Sequence, residues 1–415
     1  MNFKIRNGIF EVNYLSNSAL VFNNKANKNC TSYLNKKFLN KSTLLYKYKN
    51  GNYFVYLYSD GTKIRCPIND KFLPIFPEII NLKITNKSLS KSKIYYELTR
   101  VNGKECSFNY EFLNNLEKGS ELVIGGNPLS HKDLMPFLEN MNKKDIICNL
   151  TINKMEFISN KKLVQMLIDK KLVKGISINI SDCKDIDSII DFLSKNNNIV
   201  ISVINGIVDE KILEKLFDKN VKLQIIGYKY TNKGRNLFSK KIENNMNYLE
   251  KNIMKIIKRF KIVSFDNASI RQLKLKDKID NFEELYLGDE GDFSLYIDLV
   301  KGVYSNYLIN DSKYKIKKDI KEMFKEIKNN NKKYHVEYYL SKDNKKMLFA
   351  TLKEDYSSTF FFDERKNDWA FGGVSFLEIK KNRNLEPVNK EIAFSISNKH
   401  IEDYYEEYFG IIIDK

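Results

Sequence analysis

Cysteine is scarce and scattered in this chain: Cys30, Cys66, Cys106, Cys148 and Cys183 are the five among 415 residues, with no CxxC and no cluster. An odd, dispersed set excludes a disulfide framework and a structural zinc site, and predicts reduced, mostly buried thiols. Histidine is rarer still, and His131, His335 and His400 stand far apart, which gives a His-based metal site no support. No window approaches 18 uninterrupted apolar residues, and the opening MNFKIRNGIFEV lacks the apolar core of a signal peptide. The sequence therefore predicts no membrane partner and a cytoplasmic location. Also missing are a P-loop, a Ser/His/Asp constellation and a paired-carboxylate motif. The acidic GDEGD run (Asp289, Glu290, Asp292) reads as a solvated turn.

What is present is a globular composition, 42% hydrophobic and 13% aromatic, in a chain long enough for two domains. The net charge of +18 raises the question of an acidic partner. Arginine accounts for only eight of the 70 basic residues (Arg6, Arg65, Arg100, Arg235, Arg259, Arg271, Arg365 and Arg383). The rest is lysine, alongside abundant Asn and Ile, as AT-rich coding would produce, and the charge is spread rather than blocked.

Three regions follow from the patterning. Residues 1–78 read as β-rich, with aromatic and β-branched runs on either side of Ser59-Asp60-Gly61-Thr62 marking a hairpin, and Pro74 and Pro77 ending the region. Residues 79–330 alternate strand and helix. Short apolar runs at 80–85, 121–126, 147–152, 175–180, 199–205 and 222–227 predict strands buried on both faces, separated by helices with three- and four-residue apolar spacing. Six such units predict an α/β fold with a complete or partial parallel barrel. Amphipathic helices are expected at about 242–260 and 313–328, and a hairpin over 294–308 turning at Lys301-Gly302. After the polar run 329–333, residues 334–415 predict a small appended β-rich or α+β domain, with strand-like runs that include AFGGVSFLEI and EIAFSI.

In a parallel barrel the functional loops follow the strand C-termini. The first strand is followed by Ser88, Ser92 and Tyr95, spaced x3 then x2, and then Tyr96; the second ends in Gly125-Gly126-Asn127-Pro128, followed by LSHKDL. Paired glycines after a strand permit close backbone approach to a ligand, and equally a tight turn. Together the two segments resemble the radical S-adenosylmethionine (SAM) superfamily, with its CxxxCxxC-aromatic loop and its GGEP loop. FPEIINLKITNK, NLTIN and LYLGDEGDFSLYIDLVKG are similar to uncharacterised radical SAM proteins of phages and low-GC bacteria. The resemblance spans roughly residues 50–330.

The resemblance implies a partial (βα)6 barrel with SAM across its top and a [4Fe–4S] cluster held by three thiolates. Here Ser88, Ser92 and Tyr95 stand at the cluster-ligand positions, and hydroxyl oxygens are poor ligands for such a cluster. No cluster is therefore expected, and a tyrosine at the third position argues for natural loss rather than deliberate replacement. A vestigial SAM pocket would comprise Tyr96, Gly125, Gly126, Asn127 and Pro128, with Asn205, Gly227 and Tyr228 near the adenosine. Asn127 stands where the family has an acid, which weakens residual SAM binding.

Three functions are weighed. The first is a catalytically inactive radical SAM-like scaffold with a protein or ribonucleoprotein partner, extended to a phage-encoded, anti-CRISPR-like inhibitor of a nucleic-acid-targeting defence complex. The second is RNA or nucleoprotein binding through a basic face of Lys229, Lys233, Arg235, Lys240, Lys241, Lys251, Lys255, Lys258 and Arg259, with Tyr228 and Tyr230 for stacking. The third is an enzyme: SAM chemistry without a cluster, or a radical enzyme whose natural chain carries the three cysteines.

Overall fold

The computed structural model describes residues 11–12, 20–23, 43–59, 62–68, 72–87, 103–196, 198–229, 237–280, 282, 286, 288–306, 313–329, 335–344, 347–352, 355–372 and 376–409. The chain divides into two compact units, Met1–Asn330 and Asn331–Lys415.

The first unit opens with an antiparallel sheet of β1 (Glu11–Val12), β3 (Leu44–Asn50), β4 (Tyr53–Tyr58) and β5 (Thr62–Pro67), in the order β1-β5-β4-β3. β4 and β5 form the hairpin that the aromatic runs predict; its tip, 60–61, lies outside the described residues. The sheet's polar side chains reach the N-terminal ends of the main sheet. Glu78, just before β6 (Ile79–Lys83), receives the guanidinium of Arg65 at 3.0 Å, the Tyr53 hydroxyl at 2.5 Å and the Lys63 ammonium at 3.3 Å. Lys63 also pairs at 2.5 Å with Glu121, the first residue of β7 (Glu121–Gly125).

The main sheet continues with β8 (Ile147–Asn153), β9 (Gly175–Asn179), β10 (Ile199–Ile204), β11 (Lys222–Ile226) and β12 (Ile262–Phe265). β6 to β12 lie side by side in chain order, each pair parallel. β13 (Ser294–Asp298) joins at the other edge of β6, also parallel. Beyond it come β14 (Val303–Ser305) and β15 (Tyr314–Lys315), while β2 (Leu20–Asn23) pairs antiparallel with β12. The result is an eleven-stranded mixed sheet with eight parallel strands, two more than the periodicity predicts. The four residues of β12 follow a long helix directly and were hidden by it. β13 is one arm of the expected hairpin, and only the fold reveals its parallel pairing with β6.

Helices follow the strands: α1 (Leu134–Lys143), α2 (Lys154–Ser159), α3 (Lys161–Asp169), α4 (Ile186–Lys195), α5 (Glu210–Leu216), α6 (Lys240–Ile257), α7 (Asn267–Gln272), α8 (Leu275–Lys278) and α9 (Ile320–Asn329). Asn153, Asp209 and Asp266 cap α2, α5 and α7 by accepting from backbone N–H groups three residues on. α9 begins at Ile320 rather than near 313, because Tyr314 and Lys315 are taken up as a strand against β14. Alternate strand residues, among them Ile124, Leu150, Ile178, Ile201, Leu223 and Val263, form one core with Leu138, Val164, Ile189, Leu213 and Ile253 of the helices.

The second unit is α+β. Its antiparallel sheet runs β19-β18-β17-β16-β20 from β16 (Val336–Ser341), β17 (Leu348–Leu352), β18 (Asp355–Asp363), β19 (Asp368–Phe371) and β20 (Leu385–Val388). With it go α10 (Phe376–Asn382), α11 (Lys390–Ser397) and α12 (Ile401–Phe409). Two runs expected as strands are helical: the FLEI end of AFGGVSFLEI lies in α10, and EIAFSI lies in α11. Asn389 caps α11 at 2.9 Å, and Ala393 and Ser397, four apart, face inward. A cap and a helical stripe outweigh the β-propensity of Ile and Phe.

Candidate functional site

Ser88, Ser92, Tyr95 and Tyr96 lie outside the described residues. Their chemistry still bears on the expected cluster: two serines and a tyrosine offer hydroxyl oxygens, a donor set that does not fit an iron–sulfur centre. The described cysteines, Cys66, Cys106, Cys148 and Cys183, are unbridged. Among the described residues no group of three or more His, Cys, Asp or Glu is placed to hold a metal ion.

One Cys–His contact does occur, and sequence spacing gave no sign of it. Cys106 Sγ lies 3.7 Å from His131 Nε2. The backbone N–H of Asp133 donates to His131 Nδ1 at 3.1 Å, so Nε2 carries the proton and donates to the Cys106 carbonyl, also at 3.1 Å. Burial pushes the Cys106 thiol up to about 12 and the imidazole down. A neutral thiol beside a neutral imidazole whose proton is already committed is not an activated nucleophile.

The glycine loop after β7 is held by the chain itself. Gly126 adopts φ +81°, and a Cβ there would sit 2.2 Å from the carbonyl oxygen of Thr85, two residues past the end of β6. The close approach that glycine permits is to the backbone that leaves the neighbouring strand β6. Asn127, in the left-handed region at φ 56°, donates through Nδ2 to the Lys87 carbonyl and accepts from Asn153 Nδ2 at 2.6 Å. Pro128 is buried at the start of a short 3-10 turn, and the Leu129 N–H donates to buried Glu156 at 2.8 Å. Gly125 is half-buried and ends β7.

The positions expected near an adenosine are likewise committed. α7 crosses the C-terminal ends of β10 and β11. Gln272 Oε1 accepts from Asn205 Nδ2 (3.0 Å) and from the Tyr228 N–H (2.9 Å), and its Nε2 donates to the Tyr228 carbonyl (2.7 Å). The Gly227 N–H donates to Asp266 at 2.8 Å, and a Gly227 Cβ would lie 2.5 Å from Ala268 Cβ. Gly126 and Gly227, two of the three glycines expected to line a pocket, are spent on internal contacts.

The sheet face opposite the helix-packed core carries a polar row among apolar neighbours such as Ile204 and Ile226. Asn153, Asn179, Ser202, Gln224 and Ser264 are register partners in sequence across five adjacent strands, β8 to β12. Ser177 bonds Ser202, and Ser202 bonds Gln224 at 2.8 Å. Lys83 faces its register partner Asp298 at 3.6 Å. Sheet faces filled for packing use bulky branched residues; this row is built from hydrogen-bonding groups. The alternation was visible in the sequence, but the runs read as uniformly apolar. Buried Asn149 and Asn205 each keep a side-chain oxygen with no hydrogen-bond partner among the described residues.

The expected basic face is only partly assembled. Lys233 and Arg235 lie outside the described residues, as does Tyr230. Lys229 is largely buried and 3.9 Å from Asp266, with Glu290 also acting on its charge, so it belongs to an internal charge cluster. Tyr228 is buried and offers no stacking surface. Arg259 forks onto Asp218 at 3.0 Å, and Lys240 pairs with Glu243 at 2.9 Å. Lys241, Lys251, Lys255 and Lys258 are exposed. The GDEGD run is a turn, half-buried rather than fully solvated: burial raises the Glu290 carboxyl to about 7 against the pull of Lys229 and Arg271, and Asp292 accepts from the Asp289 N–H at 2.9 Å.

No helix among the described residues is long and apolar enough to cross a membrane. No known protein family matches the chain, and no curated protein is significantly similar to it.

Proposed function

We propose that this chain is a non-catalytic binding protein on a radical-SAM-like strand–helix scaffold, a partial barrel whose working surface is its exterior. The observation that carries this reading is the closure of the strand C-termini by their own side chains. Gln272 bridges Asn205 and Tyr228, Asp266 takes the Gly227 N–H, and Asn127 is tied to Lys87 and Asn153. A ligand entering there must break several buried hydrogen bonds, each costing about 1–3 kcal/mol when a partner is left unpaired. The charge of +18 favours a protein or nucleoprotein partner of acidic character.

Calorimetric titration of SAM into the protein tests the closure. The expected result is dilution heat alone. A saturable one-to-one isotherm would show that the glycine loop and α7 still leave a SAM site, and would restore the cofactor-binding reading.

A further inference from the structure

α6 is the longest helix described, and its outer face carries charge of one sign. Its exposed positions, continued to its C-terminal cap, are Lys240, Lys241, Asn244, Asn247, Lys251, Met254, Lys255 and Lys258. None is acidic. The helix's two acids are turned aside: Glu243 holds Lys240, and Glu250 holds Lys274 and Lys278. Lys241, Lys251, Lys255 and Lys258 have no ion-pair partner among the described residues. A helix face that is merely solvated commonly interleaves signs at i,i+4, as Asp191 and Lys195 do on α4. The apolar stripe of Leu249, Ile253, Ile256 and Ile257 is buried, so the orientation of the lysine face is fixed by the core.

We infer that the α6 face binds the phosphate backbone of a double-stranded nucleic acid, without reading its sequence. At 1.5 Å per residue the face from Lys240 to Lys258 is about 27 Å long, the span of roughly eight phosphates on one strand. The exposed positions include no aromatic. Single-stranded binders stack bases on aromatic side chains, so this face suits a duplex, whose backbone is recognised by charge and by polar side chains such as Asn244 and Asn247. The four unpaired lysines correspond to about four neutralised phosphates and a slope of log K against log salt near −3.6. This inference names the partner class of the proposed scaffold and rests on that reading.

The test is fluorescence anisotropy with a random-sequence 20-base-pair DNA duplex between 50 and 200 mM KCl, using the full chain and the triple variant Lys251→Gln/Lys255→Gln/Lys258→Gln. The expected wild-type affinity is about micromolar to 100 micromolar, with the variant at least tenfold weaker and its salt slope shallower by about 2.7. Lys251→Arg/Lys255→Arg/Lys258→Arg should retain binding, and Lys162→Gln/Lys170→Gln/Lys171→Gln, on and after α3, should leave it unchanged. A duplex RNA of the same length and a poly-dT strand are run beside it. Tighter binding of the single strand, a slope unmoved by the triple variant, or no duplex binding overturns the proposal. Lost duplex binding with no SAM heat removes only the partner assignment; SAM binding removes the scaffold reading instead.

Discussion

Glu78→Gln is expected to cost about 3–5 kcal/mol of stability, measured by urea unfolding at pH 7. Glu78 is fully buried between the N-terminal sheet and the start of β6, with Lys63 and Arg65 as cations and Glu121 as the second anion. The four charges balance, and neutralising one leaves an uncompensated cation in a site buried from bulk solvent. Burial alone would raise the Glu78 carboxyl; Arg65 and Lys63, with the Arg65 and Tyr53 hydrogen bonds, hold it down at about 2 against 4.5. Because the folded pKa is the lower one, this stabilisation is complete above about 4.5 and is lost as pH falls toward 2. It amounts to about 3 kcal/mol. The wild type should therefore lose stability over that range, and the variant should lack this component. Lys63→Met/Glu121→Leu retains the Arg65–Glu78 pair and should lose less than the sum of its two single changes. Additive losses would mean that the four charges do not act as one network.

Gly126→Ala should be comparably damaging, at roughly 3–5 kcal/mol. A Cβ at 2.2 Å from the Thr85 carbonyl oxygen meets backbone, which has no rotamer to escape into, and φ of +81° adds the strain of a left-handed non-glycine residue. The same substitution separates two explanations of the glycine. If Gly126 exists for a ligand, the variant should fold with wild-type stability and lose only binding. If it exists for the packing of β6 against β7, stability falls whether or not any ligand is present. An unchanged urea midpoint would favour a ligand-binding role for the loop.

The strand–helix alternation was legible because β6 to β11 are short apolar runs between clear helical stripes. Legibility failed where local signals compete with long-range pairing. Tyr314 and Lys315 belong to a helical pattern, yet complete the edge of the sheet against β14. EIAFSI has strand composition, but Asn389 nucleates a helix there. At the site, the glycine and proline positions were readable as a loop after β7, whereas their purpose depended on which atoms lie opposite them. Gln272 and Asp266, which tie down the loops after β10 and β11, sit 67, 44 and 39 residues beyond Asn205, Tyr228 and Gly227, and no spacing rule links them. Lys229 illustrates the same limit for charge: in sequence it heads a lysine-rich stretch, and in space it faces Asp266.

Anaerobic reconstitution with iron and sulfide, followed by metal analysis and absorbance, tests the non-catalytic reading most directly. The account predicts iron well below stoichiometry, no cluster absorbance, and no 5′-deoxyadenosine from SAM under reducing conditions. A stoichiometric cluster that cleaves SAM would contradict it and make the chain a radical enzyme with ligands other than cysteines at 88, 92 and 95.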